Sequence, residues 1–137
     1  MSEPLVIDPV MQKDSWDCGV ACLVMLTGKS YGVVSVVVPK RARRDGGLGQ
    51  TQMRNIATRV GVSTRWIKDG DLQEVVGILG LTRPIEPANP KSDREGHYVM
   101  ILKGVLYNPA EGVIWTDVES FFQTRGWRPM GVLVRED

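Results

Sequence analysis

The feature that most constrains this chain is a change of period along its length. From 17 to 27, Cys18, Ala21, Cys22, Met25 and Leu26 recur at helical spacing, and Gly28 follows as a stop. A second helix is predicted over 51–60, with Met53, Ile56, Ala57 and Val60 on one face and Gly61 as terminator. Asp71 is placed to cap a third, with Leu72, Val75, Val76 and Leu79 apolar. From His97 onward the apolar residues come instead in short strand-like runs, 97–102, 104–107, 113–115 and 130–134, with a capped helix over 117–124. Helices first and strands last predict an α+β fold with an antiparallel sheet.

Other segments are less decided. Residues 33–38 are β-branched and favour a strand by propensity, with a short helix as the competing reading, and Pro39 ends the run. Residues 40–44 hold four basic side chains and lead into Gly46-Gly47, which reads as an exposed turn. Residues 84–96 hold three prolines among polar groups and read as a mobile loop. Residues 1–16 read as an extended lead-in.

A length of 137 residues fits one domain, 1–137, able to bury a core without a covalent staple. The formal net charge of +1 exerts no overall pull toward nucleic acid or membrane. The four bases in 40–44 raise a nucleic-acid reading, but that run has no interleaved aromatic residue, and a solvated turn explains it. No stretch approaches the roughly 18 apolar residues of a membrane span. The N-terminus lacks a basic region followed by an apolar run, so no signal peptide is expected. Two free thiols fit a reducing compartment, and a cytoplasmic location is the expectation. One histidine and two cysteines are too few ligands for zinc, so neither metal nor cofactor is expected.

The chemistry concentrates on few residues. Cys18 stands at the predicted start of a helix, where unpaired N–H groups and the helix dipole favour a thiolate, so its pKa is expected to be low. Cys22, one turn on, reads as core. His97, the only histidine, opens an apolar strand at a loop junction, where it can face a cleft as a general base. If the strands on either side of Lys103-Gly104 pair as a hairpin, Asn108 lies beside His97 and its amide oxygen can fix the imidazole tautomer. Gln12, six residues before Cys18, can donate to an oxyanion together with the Cys18 backbone N–H. Each residue also has an ordinary reading: a buried thiol, a structural histidine, an Asn-Pro turn, an unremarkable glutamine.

Together they form a pattern. Gln12-Lys-Asp-Ser-Trp-Asp-Cys18-Gly-Val-Ala-Cys-Leu resembles the nucleophile motif of C39-type papain-like cysteine peptidases, which include the leader-cleaving domains of bacteriocin exporters. His97-Tyr-Val-Met-Ile-Leu resembles their histidine strand, and Asn108-Pro109-Ala110 their Asp-Pro element. The segment from Gly49-Gln-Thr-Gln-Met to Arg65-Trp-Ile resembles the helix and strand between. The resemblance implies a papain-like fold, N-terminal helices packed on a C-terminal antiparallel sheet. It implies Cys18 as nucleophile, His97 as base, Asn108 as orienter and Gln12 in the oxyanion hole. Trp16, Asp17, Gly19 and Gly96, flanking nucleophile and base, would contact substrate. The substrate would be a peptide or protein, cleaved after small residues of the Gly-Gly type.

Asparagine stands at 108 where the family usually has aspartate, which weakens a resting thiolate–imidazolium pair. The segment 84–96 precedes His97 and is placed to shape the groove. No transporter segment follows, so the exporter role does not carry over. Two other functions remain open: an inactive peptide-binding module of the same type, and a cysteine-dependent acyltransferase or amidase on the same site.

Overall fold

A computed structural model describes residues 9–89 and 92–136. Three helices come first: α1 (Cys18–Thr27), α2 (Tyr31–Val36) and α3 (Gln50–Arg59), with a 3-10 turn at Lys40–Ala42. Strand β1 (Thr64–Ile67) follows, then β2 (Val76–Asn89), β3 (Ser92–Leu102), β4 (Val105–Asn108), β5 (Val113–Trp115), helix α4 (Val118–Arg125) and β6 (Arg128–Arg135). The strands make one sheet in the order β1-β6-β2-β3-β4-β5, and every pairing is antiparallel. The fold is α+β, as the change of period predicts. Among the described residues no helix is long and apolar enough to cross a membrane.

The sheet buries both faces, and the period-2 alternation of its strands separates two cores. Ile78, Tyr98, Met100, Tyr107 and Leu133 pack with α1, α2 and α3. Their neighbours Leu79, Val99, Ile101, Leu106 and Val132 pack with Val118 and Phe121 of α4 on the other side. Cys22 is fully buried in the first core, as its helical position suggests.

One open reading is settled and two sequence expectations need correction. The β-branched run 33–38 begins as helix: Ser30 caps α2 by accepting the Val33 N–H at 3.2 Å, and only Val34 of α2 is buried. Local capping there outweighs strand propensity.

Asp71 caps no helix. Its side chain accepts from Gln73 N and its carbonyl from Val75 N, which makes a turn leading into β2. The run Val76-Gly-Ile-Leu-Gly-Leu is a central strand between β3 and β6. Its apolar residues match a helical stripe only because both faces are buried, which masks the alternation.

The segment 84–96 is the outer part of a long β2–β3 hairpin, with Pro84 opposite Arg94 and Asn89 opposite Ser92. Its tip at 90–91, like 1–8 of the lead-in, lies outside the described residues.

The remaining elements match the reading. The basic run is an exposed turn that buries only Ala42. Asp117 caps α4 by accepting from Ser120 N at 3.3 Å.

Candidate active site

Cys18 is the first residue of α1, and α1 packs against β3. Asp17 holds this helix start in place. Its buried carboxylate accepts the backbone N–H of Lys13 at 3.1 Å and of Asp14 at 2.8 Å, and the Tyr31 hydroxyl. These bonds curl the chain just before Cys18. Burial and this carboxylate raise the Tyr31 pKa, so the phenol stays a donor.

Facing the helix start is a cleft of about 310 Å³ lined by Cys18, residues 45–49, Gln52, Gly96, His97, Tyr98 and Met130. The loop 45–49 follows the basic turn. Gly46 and Gly47 adopt φ of +80° and +141°, a backbone that side chains disfavour, and the loop thereby turns over Trp16. The Tyr98 hydroxyl donates to Leu48 O at 2.7 Å and pins the loop to β3.

Cys18 and His97, far apart in sequence, therefore line one cleft. The backbone N–H of Tyr98, next to His97, stabilises the Cys18 sulfur in its charged form, as do those of Gly19 and Cys18. Among the described residues no hydrogen bond joins the thiol to the imidazole; the two residues share the walls of the cleft.

The imidazole is held on its other edge. Lys103 (φ +47°) and Gly104 (φ +84°) form the two-residue turn between β3 and β4, and Leu102 pairs with Val105. Following that register past the Met100–Tyr107 pair brings Asn108 to the face of β4 that His97 occupies on β3. His97 Nε2 lies 2.8 Å from Asn108 Oδ1. An amide oxygen only accepts, so Nε2 carries the hydrogen and Nδ1 keeps its lone pair. Asn108 is buried, and its Oδ1 also accepts from Ala110 N at 3.1 Å.

Both Cys18 and His97 favour neutrality. Burial pushes the Cys18 thiol up, against the backbone donors that pull it down. The low thiol pKa expected from the helix terminus is thus reversed: Cys18 is 9% exposed as a residue, and desolvation outweighs the terminal N–H groups. Burial likewise lowers the His97 pKa, partly offset by the Asn108 bond.

The other expected residues divide. Gly96 lines the cleft. Trp16 and Asp17 instead line a neighbouring cavity of about 360 Å³, with Tyr31, Val38 and Lys40. Gly19 faces inward: a Cβ there would lie 2.8 Å from Met53 Sδ and 3.2 Å from the Tyr98 ring. Gln12 is tied to the site through its backbone, which donates to Pro109 O at 3.0 Å. Its side-chain Nε2 donates to Asp14 O at 2.6 Å, and its Oε1 is buried without a partner.

Three groups around the His97–Asn108 pair were not singled out as part of the site from the sequence: Trp127, Arg83 and Glu111. Trp127 stacks on His97 with ring centroids 5.5 Å apart, and Arg83 lies over the outer face of that indole at 4.0 Å. Glu111 accepts from Asn108 Nδ2 at 2.6 Å. The only signal in the sequence for Glu111 was its place in the turn three residues after Asn108. Among the described residues no group of three or more His, Cys, Asp or Glu side chains gathers in a way that could hold a metal ion.

No curated protein matches the chain. The family model described as peptidase C39 family matches residues 7–134, a span that includes Gln12, Cys18, His97 and Asn108, and the chain belongs to that family.

Proposed function

We propose that this protein is a papain-like cysteine peptidase with Cys18 as nucleophile and His97 as its general base and acid. The observation that carries the proposal is the shared cleft: the thiol and an imidazole with its Nδ1 lone pair free line the same walls. A neutral thiol and a neutral imidazole suit a concerted start. As Sγ attacks the substrate carbonyl, the thiol proton passes to His97 Nδ1. Negative charge develops on the carbonyl oxygen, where the Cys18 N–H in the first turn of α1 can donate. Gln12 is the second donor, once its side chain turns from Asp14 O. The imidazolium then gives its proton to the departing amine as the C–N bond breaks, leaving a thioester. Water attacks the thioester carbonyl as His97 takes its proton, the C–S bond breaks to release the acid, and the imidazolium returns the proton to the Cys18 sulfur.

Asn108 fixes the tautomer throughout. Glycines at 46, 47, 49 and 96 leave backbone rather than side chain along much of the cleft, which suits small residues before the scissile bond. Trp16 and Asp17 frame the adjoining cavity as an extension of the substrate site.

Screening peptide libraries that include Gly-Gly sequences, with Cys18→Ala as control, tests the proposal. Turnover is expected from the native protein and none from the control; equal turnover in both refutes Cys18 as nucleophile. His97→Ala is expected to lower the rate about 100-fold or more. A second reading, a peptide-binding module that does not cut, draws on the burial of the thiol and the inward use of the Gln12 amide. Tight peptide binding by both native protein and Cys18→Ala, without cleavage by either, would favour it.

A further inference from the structure

His97 is held by Asn108, but an amide has two ends. Turned over, it would present N–H groups to the imidazole, and the ring would have to accept at Nε2 and carry its hydrogen on Nδ1, the nitrogen that the proposed mechanism uses as base. Two contacts decide which end points inward: the Ala110 N–H donates to Oδ1 at 3.1 Å, and a carboxylate takes the amide's other end. Glu111 Oε1 accepts from Asn108 Nδ2 at 2.6 Å, which leaves Oδ1 for His97. Glu111 is itself held. Its other oxygen, Oε2, pairs with the guanidinium of Arg125 at the end of α4.

The same arginine closes a second path to the ring. Its backbone carbonyl accepts from Arg83 Nη1 at 2.7 Å; Arg83 covers Trp127, and Trp127 stacks on His97. Arg125 Cζ stands 5.2 Å from the centroid of Trp115, which fixes it from the β5 side.

We propose that Glu111 is a positioning residue: its carboxylate orients the Asn108 amide, so sets the His97 tautomer, and supplies the negative charge that an aspartate at 108 would have brought to the imidazolium. This rests on the reading of His97 as the base. Charge matters here because an amide at 108 orients an imidazolium without neutralising it. Placing the carboxylate one residue further out keeps the oxygen beside the ring an obligate acceptor. The charged groups that face His97 are Arg83 on β2, which disfavours the imidazolium, and Glu95 on β3 and Glu111 in the β4–β5 turn, which favour it.

The chain has one histidine, so its imidazole nitrogens can be read without ambiguity by 15N NMR. The spectra need no substrate, so they test Glu111 whether or not the protein cleaves peptides. In the native protein the neutral ring is expected as the Nε2–H tautomer. Glu111→Gln keeps an acceptor for Asn108 but removes the charge: the tautomer is expected to persist while the titration midpoint moves to lower pH. Glu111→Ala removes both: the midpoint moves and the Nδ1–H form appears. Glu119→Gln, an exposed carboxylate of α4, is the control and should change neither. A Glu111→Ala protein with native tautomer and midpoint overturns the proposal, as does a Glu111→Gln midpoint equal to that of the control. Failure of the peptidase reading shows elsewhere, as peptide turnover that Cys18→Ala leaves unchanged.

Discussion

His97 Nε2 and Asn108 Oδ1 meet at 2.8 Å across a hairpin whose register is set by only two residues, Lys103 and Gly104. Turn, register and hydrogen bond are thus parts of one device: the strand pairing places the amide, and the amide fixes which ring nitrogen carries the hydrogen.

That device predicts an asymmetry between two substitutions. Asn108→Ala frees the ring and is expected to lower turnover about tenfold or more, part of the roughly 10²–10⁴ that general acid–base catalysis supplies. Asn108→Asp, although it restores the residue usual in the family, puts a second carboxylate beside Glu111 Oε1, and two carboxylates so close share a proton. It is expected to perform well only together with Glu111→Gln. Steady-state rates of the two single variants and the double variant check this; an Asn108→Asp protein no better with Glu111→Gln than without it contradicts the prediction.

The burial of Cys18 predicts its reactivity. With its pKa raised from an ordinary value of 9.0, the resting thiol is expected to alkylate slowly at neutral pH, the rate climbing only as the solution becomes alkaline. Cys22, fully buried and with its pKa raised further, is expected to react only on unfolding. Iodoacetamide labelling followed by mass spectrometry across pH 6–10 distinguishes the two sites. A labelling rate at Cys18 that reaches its plateau below neutrality would show a preformed thiolate and contradict the neutral resting pair.

The imidazole carries a consequence for stability. Its folded-state pKa is depressed below 6.5, first by burial and then by Arg83, with Asn108, Glu111 and Glu95 acting against them. As pH falls past 6.5 the unfolded chain takes up a proton that the folded protein resists, so stability declines until the lower folded value is reached. Within that window the slope is at most about 1.4 kcal/mol per pH unit. The low-pH arm from Glu111 lies separately below 4.5, since Arg125 holds that carboxyl below its usual range. Denaturant midpoints measured from pH 8 to 5 should fall for the native protein and stay flatter for His97→Gln. Parallel curves for the two would remove His97 as the cause.

The sequence was legible where one physical signal dominated. Helix α1 with its stop at Gly28, the 103–104 hairpin, strand β5 and the Asp117 cap all follow from period, turn chemistry or a capping side chain. Bringing Cys18 and His97 into one cleft was expected from chemistry and resemblance together, since neither residue alone exceeds its ordinary reading. What stayed hidden depended on tertiary context. Strand β2 hid its alternation because both faces are covered, and Trp127 reaches His97 only through the placement of β6 beside β2. The thiol pKa was misjudged because a helix terminus is visible in sequence and the degree of burial is not.

Gly77 offers a test of the sheet that carries the histidine. It sits in β2 opposite Ile101 of β3, and a Cβ built there would fall inside contact distance of Leu133 O and 2.8 Å from Val132 Cγ1 on β6. Both obstacles belong to the sheet itself, one of them backbone, so neither moves aside as the tip of a long side chain would. Gly77→Ala is therefore expected to destabilise by about 1–3 kcal/mol, the usual cost of overpacking, although alanine is otherwise the easier residue to order. Gly61→Ala is strained for a different reason: it adds no close contact but stands at φ +93°. Gly32→Ala, whose Cβ would meet only Ser30 Oγ at 4.0 Å in a helix, should be neutral or stabilising by a few tenths of a kcal/mol. Thermal and denaturant unfolding of the three variants separates the mechanisms: Gly77→Ala as stable as Gly32→Ala would mean that β2 and β6 can part without cost, and the close approach of the two strands would lose its role in fixing the sheet.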